Sequence, residues 1–141
     1  AACSACEAGF YKAVNGSTPC VACEAGSYLN MTSGTACIQC PENTESGVGS
    51  SDVSACVCKA GFEGRDGAAC SACEAGFYKA VNGSTPCVAC EAGSYLNMTS
   101  GTACIQCPEN TESGVGSSDV SACVCKAGFE GRDGAACSAC E

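Results

Sequence analysis

The sequence contains no histidine. Most general acid–base chemistry and every Ser-His-Asp set depend on an imidazole, so we expect neither catalytic residues nor an enzyme. Only six Lys and Arg residues stand against fifteen Asp and Glu, and the basic residues form no patch. Nucleic acid and anionic membranes are therefore not expected partners. No apolar run approaches the ~18 residues that a membrane-spanning helix needs.

Large apolar side chains are also scarce. Each stretch of 67 residues holds one Leu, one Ile, five Val and two Phe. This is too little to offset the conformational entropy of folding with a conventional core. The net charge of -9 further favours disorder unless covalent bonds hold the chain together. We therefore expect cross-links to be the main source of order.

A perfect repeat of 67 residues organises the chain, because residues 1–74 and 68–141 are identical. We divide the sequence into cysteine-rich repeat 1 (1–67), an identical repeat 2 (68–134) and the start of repeat 3 (135–141). The chain has no initiator Met and no visible signal peptide, and it ends on the phrase with which it opens. We expect a mature product or a segment of a longer array.

Eighteen cysteines, about one residue in eight, are typical of a disulfide scaffold. In each repeat, C-x2-C and C-x-C steps alternate with spacers of 13, 13, 15 and 11 residues. Paired C-x2-C steps could also form zinc sites, which leaves a metal store as one alternative. Two N-glycosylation sequons per repeat indicate secretion into an oxidising compartment, which favours disulfides over metal. The expected glycan sites are Asn15, Asn30, Asn82 and Asn97.

Spacing alone does not fix the disulfide connectivity. We favour a sequential scheme, in which the second Cys of each pair joins the first Cys of the next and each bond contributes roughly 3 kcal/mol through loop closure. The scheme pairs Cys6–Cys20, Cys23–Cys37, Cys40–Cys56, Cys58–Cys70, Cys73–Cys87, Cys90–Cys104, Cys107–Cys123 and Cys125–Cys137. Cys3 and Cys140 remain and are expected to pair with adjoining repeats. A crossed arrangement with Cys3–Cys20 and Cys6–Cys23 is the alternative.

The cysteine loops predict small disulfide-rich repeats with little regular secondary structure. Each loop starts with a glycine turn signal, as in Gly9-Phe10-Tyr11, and Asn15-Gly16-Ser17 suits a hairpin tip. We expect short β-hairpins, six residues out and six back and ~20 Å long, stacked into an elongated rod. The aromatic residues are interpreted as core filler that lies over the disulfides, and residues 46–54 as the most flexible stretch.

The stretch CEAGFYKAVNGSTPCVACEAGSYLNMTSGTACIQC (6–40) resembles the ephrin-receptor-like cysteine-rich repeats of large extracellular proteins. Its loops also resemble the first loop of tumour necrosis factor receptor modules. CVCKAGFEGRDGAAC (56–70) is similar to the C-terminal half of an EGF-like module. In that family the last two cysteines pair, which implies Cys58–Cys70. No acidic cluster precedes the first cysteine, so the resemblance does not imply calcium.

These observations predict a secreted, structural extracellular glycoprotein whose tandem repeats form a filament or fibre. The expected partners are adjoining repeats of the same chain or identical chains. Apart from covalent N-linked glycans, no cofactor, metal, membrane, nucleic acid or small-molecule substrate is expected. The alternative is the ligand-binding ectodomain of a receptor, although receptors normally diversify their repeats.

Overall fold

The computed structural model describes residues 4–140. The chain forms two compact units, of which one contains Ala1–Lys59 with Gly64–Ser71 and the other contains Ala60–Glu63 with Ala72–Glu141. Along the sequence the boundary is not a single point, because Ala60–Glu63 belong to the second unit and Gly64–Ser71 to the first. The division into domains at 67 and 134 therefore stays a prediction from the sequence.

The described residues form eight two-stranded sheets and only two short 3-10 turns, as expected for small disulfide-rich repeats. In the pairs whose register is defined, the strands run antiparallel; Tyr11, for example, lies opposite Val21. The strands are β1 Phe10–Tyr11, β2 Val21–Ala22, β3 Ser27–Tyr28, β4 Ile38–Gln39, β5 Thr44–Glu45, β6 Val57–Cys58, β7 Phe62–Glu63, β8 Ser71–Ala72, β9 Phe77–Tyr78, β10 Val88–Ala89, β11 Ser94–Tyr95, β12 Ile105–Gln106, β13 Thr111–Glu112, β14 Val124–Cys125, β15 Phe129–Glu130 and β16 Ser138–Ala139.

The strands are much shorter than expected, with two residues each instead of six. The physical reason is that backbone groups next to the strands bond to the following hairpin instead of across their own. The Gly9 amide donates to the Leu29 carbonyl at 2.9 Å, and the Gly26 amide donates to the Ser46 carbonyl at 3.1 Å. Each hairpin is thus fastened to the next one in sequence within a unit, as in other repeat proteins.

A tight turn opens each hairpin, as the glycine signal predicts. The Phe10 amide donates to the Glu7 carbonyl at 3.0 Å, and Gly9 has a φ of 91°. A positive φ at the third position is what a type II turn requires. In the third loop of the repeat Asn43 takes this place with a φ of 64°, because asparagine tolerates the left-handed region better than most residues.

The interior consists of disulfides and one leucine per repeat. Leu29 and Leu96 are 1% and 2% exposed, and they are the only large apolar side chains fully buried in the described residues. The interpretation of the aromatics as core filler is wrong for Phe10 and Phe77, which are 39% and 38% exposed. With strands of two residues, a hairpin has no broad face under which an aromatic ring could be buried.

The stretch 46–54, interpreted as flexible, is held by several hydrogen bonds. The Gly49 amide donates to the Cys23 carbonyl at 2.8 Å, and the Ser50 carbonyl accepts from the Leu29 amide at 3.1 Å. Asp52 then caps the 3-10 turn Val53–Ala55 by accepting from the Ser54 amide at 2.9 Å. Hydrogen bonds from the Ser54 side chain and amide hold the pKa of Asp52 below its ordinary value.

Candidate functional site

Sixteen cysteines form eight disulfides, and each bond closes one hairpin loop. The structure brings together Cys6–Cys20, Cys23–Cys37, Cys40–Cys56, Cys58–Cys70, Cys73–Cys87, Cys90–Cys104, Cys107–Cys123 and Cys125–Cys137. These are the partners that the sequential scheme names. Cys140 is exposed and carries a free thiol. Cys3 lies outside the described residues, so the pairing of both with adjoining repeats stays a prediction.

The sequon asparagines all lie in exposed loop segments, Asn15 and Asn82 within a bend and Asn30 and Asn97 directly before one. Asn15, Asn30, Asn82 and Asn97 are each exposed, so a glycosylating enzyme could reach them. Asn82 has a structural contact as well, because its Oδ1 accepts a hydrogen bond from the Ala60 amide at 2.8 Å. An N-linked glycan is attached through the amide nitrogen, so the oxygen stays available as an acceptor. Glycosylation itself stays a prediction.

Asn82 belongs to a group of contacts that we call the clasp. Its first half is the segment Ala60–Glu63, and its second half is the following hairpin loop, from Lys79 to Cys87. The Gly61 amide donates to the Lys79 carbonyl at 2.9 Å, and the Glu63 Oε1 accepts from the Cys87 amide at 2.9 Å. Every contact of the clasp lies inside one compact unit.

Close approach of backbones explains the glycine in the clasp. Gly61 has a φ of 89°, and a Cβ built on it would overlap the Ser100 carbonyl oxygen. No other residue type fits there without moving Ser100, because the obstacle is backbone instead of a flexible side chain. Gly61 is accordingly buried, whereas the neighbouring Arg65 and Asp66 are exposed.

A shallow polar depression recurs at the same place in both copies of the repeat. In the first it has a volume of about 420 Å³ and is lined by Glu42, Glu45 and Lys59 among others. The equivalent in the second, of about 510 Å³, includes Glu109, Glu112 and Lys126. Neither depression contains an aromatic or large apolar side chain on which a small organic ligand could pack.

Residues 4–140 offer neither a metal-ion site nor a membrane-spanning helix. No three Cys, Asp or Glu side chains come together in residues 4–140 in a way that could hold a metal ion. In the same range, no helix has the length and apolarity to cross a bilayer. The candidate site therefore consists of the exposed sequons and of the joints, by which we mean the hydrogen bonds that fasten each hairpin to the next, such as that from Gly9 to Leu29.

Sequence reasoning missed two residues of these joints. Asn43 replaces the glycine of its sibling loops, and its Nδ2 donates to the Cys70 carbonyl at 3.0 Å. An alignment of CPENTE with CEAGFY would have revealed the substitution, since asparagine is the usual replacement for a left-handed glycine. The second is Asn82, for which the sequence offers only the sequon and no sign of the contact with Ala60.

One protein family matches the chain, and its description is tyrosine-protein kinase ephrin type A/B receptor-like. The match covers residues 13–56 and residues 80–123, which together exceed half of the chain and lie one period apart. Comparison with curated protein sequences found no match. The resemblance to ephrin-receptor-like repeats is thus confirmed, and the family is one of receptor-type cysteine-rich modules, not of enzymes. Its extracellular setting agrees with the many disulfides. The chain belongs to the ephrin-receptor-like family of cysteine-rich modules.

Proposed function

We propose that this chain is a structural glycoprotein of an extracellular filament, in which tandem disulfide-closed repeats stack into a rod. The observation that carries the proposal is the equality of the joints in the two copies. Gly9 donates to Leu29 at 2.9 Å, and Gly76 donates to Leu96 at the same distance. Identical joints repeat one rotation and one rise, and such repetition generates filaments.

The positions of the sequons support an exposed, glycan-coated surface. Val14 is 68% exposed next to Asn15, and Met31 is 53% exposed inside the sequon of Asn30. Val81 and Met98 repeat this arrangement beside Asn82 and Asn97. Glycans on the four asparagines would cover the apolar side chains that the small core leaves outside. Covalent N-linked glycans are the only non-protein groups in this proposal.

The proposed partners are adjoining repeats of the same chain or identical chains. The proposal includes no nucleic acid, because the net charge of -9 repels phosphate. It includes no small-molecule substrate, because the recurring depressions are shallow and polar. The proposed location is outside the cell that secretes the chain.

The second candidate is the ectodomain of a receptor. The family description favours it, and the depression beside Lys59 and Lys126 would be the ligand site. Two depressions with equivalent lining residues argue against it, since receptors usually diversify their modules so that one or two of them hold the ligand.

Immunogold electron microscopy separates the two candidates. An antibody raised against the chain should label extracellular fibres at a regular spacing, and antibody absorbed with the purified chain should not label them. Gold particles distributed over the plasma membrane without fibres would contradict the filament and favour the receptor.

A further inference from the structure

A second kind of depression also recurs in the two copies of the repeat, and we call it the tyrosine depression. In the first copy it has a volume of about 280 Å³, and its lining includes Tyr11, Glu24, Thr35 and Gln39. In the second copy, with about 270 Å³, the same places are taken by Tyr78, Glu91, Thr102 and Gln106. Each tyrosine depression lies inside one compact unit. It differs from the depression beside Lys59 in that it contains an aromatic ring.

Two neighbouring hairpins form the walls of the tyrosine depression. Tyr11 ends β1 and is partly buried. The amide of the next residue, Lys12, donates to the Gly34 carbonyl at 3.2 Å, which holds the tyrosine beside the loop that contains Thr35. The equivalent bond in the second copy has the same length. The place of the tyrosine is therefore set in both copies by a hydrogen bond between hairpins.

Polar side chains surround the ring. Ser27 fixes the backbone of one of them, because its amide and its Oγ donate to the Glu24 carbonyl at 3.1 and 2.8 Å. Gln39 lies opposite Ser27 in the pair of β3 with β4. The side chains of Glu24, Gln39 and Thr35 are exposed and make no hydrogen bond within the described residues. A carboxylate, an amide and a hydroxyl are thus available to a ligand.

This combination of groups suits a sugar. A pyranose ring has an apolar face of C–H groups, which packs on an aromatic ring, and hydroxyl groups at its edge, which bond to carboxylates and amides. The volume of each tyrosine depression is just below the ~300–1,000 Å³ of ordinary ligand pockets, so it has room for about one sugar unit.

The sequon of Asn15 supplies a sugar at short range. Ala13 lines the tyrosine depression, and Asn15 follows two residues later, so their Cα atoms are at most ~7 Å apart. The Lys12 ammonium donates to the carbonyls of Val14 and Gly16 at 2.9 and 2.6 Å, which holds the loop on both sides of Asn15. The bond to the glycine recurs at 2.6 Å in the second copy. The first sugar units of a glycan on Asn15 are therefore within reach of the tyrosine depression.

We propose that the tyrosine depression binds a sugar unit of the N-linked glycan on Asn15, and its second copy a sugar unit of the glycan on Asn82. The Tyr11 ring packs on a face of the sugar, and Glu24 and Gln39 bond to its hydroxyl or acetamido groups. This binding rests on the proposed glycoprotein, because it requires a glycan on Asn15. A group tethered by a short flexible linker has an effective concentration in the millimolar range. Millimolar affinity is therefore enough to hold the glycan against the hairpins.

Binding of free sugars tests the site itself. The chain is produced without sequons but with its asparagines, through the substitutions Ser17→Ala, Thr32→Ala, Ser84→Ala and Thr99→Ala. Titration with N-acetylglucosamine and with mannose, followed by saturation-transfer NMR, gives the dissociation constants. Tyr11→Ala with Tyr78→Ala should weaken binding about three- to tenfold, the effect of one aromatic contact. Glu24→Ala with Glu91→Ala should weaken it by a similar factor, the effect of one hydrogen bond.

Matched controls come from the sibling loops. Tyr28→Ala with Tyr95→Ala removes the same ring from the next hairpin, and neither tyrosine lines the tyrosine depression. Glu7→Ala with Glu74→Ala is the equivalent control for the carboxylates. Both control pairs should leave the dissociation constants unchanged. Equal weakening by the two tyrosine pairs would overturn the site, as would the absence of binding of both sugars.

Trimming of the natural glycans tests the source of the sugar. The glycosylated chain is treated with exoglycosidases, and the masses of glycopeptides give the rate at each asparagine. The glycan on Asn15 should be trimmed more slowly than the glycan on Asn30, and Tyr11→Ala with Tyr78→Ala should abolish the difference. Protection by the same chain should not depend on chain concentration. Equal rates at the two asparagines, or protection that is lost on dilution, would overturn the assignment to the glycan on Asn15.

These outcomes are distinguishable from failure of the proposed function. Regular gold labelling of fibres by a chain that binds neither sugar would overturn the sugar site alone. Protection of the Asn15 glycan by Tyr11 in a chain that forms no extracellular fibre would overturn the filament and retain the sugar site.

Discussion

The side chain of Leu29 lies directly over Gly34, with no room between them for even a methyl group. Leu29 is the single buried leucine of its repeat, and its backbone is bonded on both sides, to Gly9 and to Ser50. Gly34 is buried as well. The contact recurs between Leu96 and Gly101 in the second copy. This pair is the nearest equivalent of a hydrophobic core that the repeat contains.

Gly34→Ala should destabilise the repeat. The added methyl group would push Leu29 out of its position, and overpacking of this kind typically costs about 1–3 kcal/mol. Gly47→Ala is the matched control, because a Cβ there meets nothing within 4 Å and its φ is not in the left-handed region. The free energies of unfolding are measured by urea titration without reductant. Equal midpoints for the two variants would show that Leu29 has space to move.

Leu29→Ala should remove most of the non-covalent stabilisation of the repeat. Truncation of a buried leucine costs about 2–5 kcal/mol, through lost burial and the cavity left behind. Val48→Ala is the control, since Val48 is 72% exposed and its truncation should change little. Thermal unfolding of the oxidised chain reports both. A fall in the midpoint no larger for Leu29→Ala than for Val48→Ala would mean that the disulfides alone carry the fold.

Two variants at Asn43 should separate its two roles. Asn43→Gly keeps access to the φ of 64° but loses the bond from Nδ2 to the Cys70 carbonyl. Asn43→Ala loses the bond and adds left-handed strain, which costs about 1–2 kcal/mol per residue. We therefore expect the alanine variant to be less stable than the glycine variant in chemical denaturation. The reverse order would contradict a strained turn at this position.

The caps at Asp52 and Asp119 should make stability depend on pH. Hydrogen bonds from Ser54 and Ser121 hold the two pKa values below their ordinary value in the folded state. The stabilisation that the two ionised carboxylates give to the folded chain is therefore fully present above the unfolded pKa of about 3.9. It is lost as the pH falls through the still lower folded pKa. The double variant Asp52→Asn, Asp119→Asn keeps an oxygen acceptor but cannot titrate.

Unfolding of this double variant should show a flatter loss of stability than the original chain as the pH is lowered from about 4 to 2, the region below the unfolded pKa. Titration of the two carboxyl groups by NMR gives the folded pKa values directly. Identical pH profiles for the two chains would exclude a role for the caps in acid unfolding.

The local features were predictable because they depend on nearest neighbours in sequence. The turn at Gly9 follows from a glycine three residues after a cysteine, and the scarcity of apolar residues indicated a cross-linked chain. The length of the strands was not predictable, since it depends on where the backbone groups find partners. The amide of Gly9 bonds to Leu29, twenty residues away, and no residue near Gly9 in the sequence indicates this contact.

Lys12 and Lys79 show why other features cannot be read from a sequence. They occupy the same position in identical repeats, yet Lys79 is 2% exposed and Lys12 is only partly buried. The carbonyl of Lys79 accepts from Gly61, in the segment before its own repeat. Within the described residues Lys12 has no such neighbour. The environment of a residue in a repeat is thus completed by the preceding repeat, which a single period does not contain.

The short loops closed by disulfides also determine how the chain responds to tension. In one period of 67 residues the four bonds span 14, 14, 16 and 12 steps, and each brings its ends to between 5.7 and 5.9 Å. A freely extended chain gains ~3.3–3.6 Å per residue. Roughly three quarters of the contour length is therefore withheld from extension, even when every hydrogen bond has broken. A pulling force would act mainly on covalent bonds, which makes the chain a nearly inextensible tether.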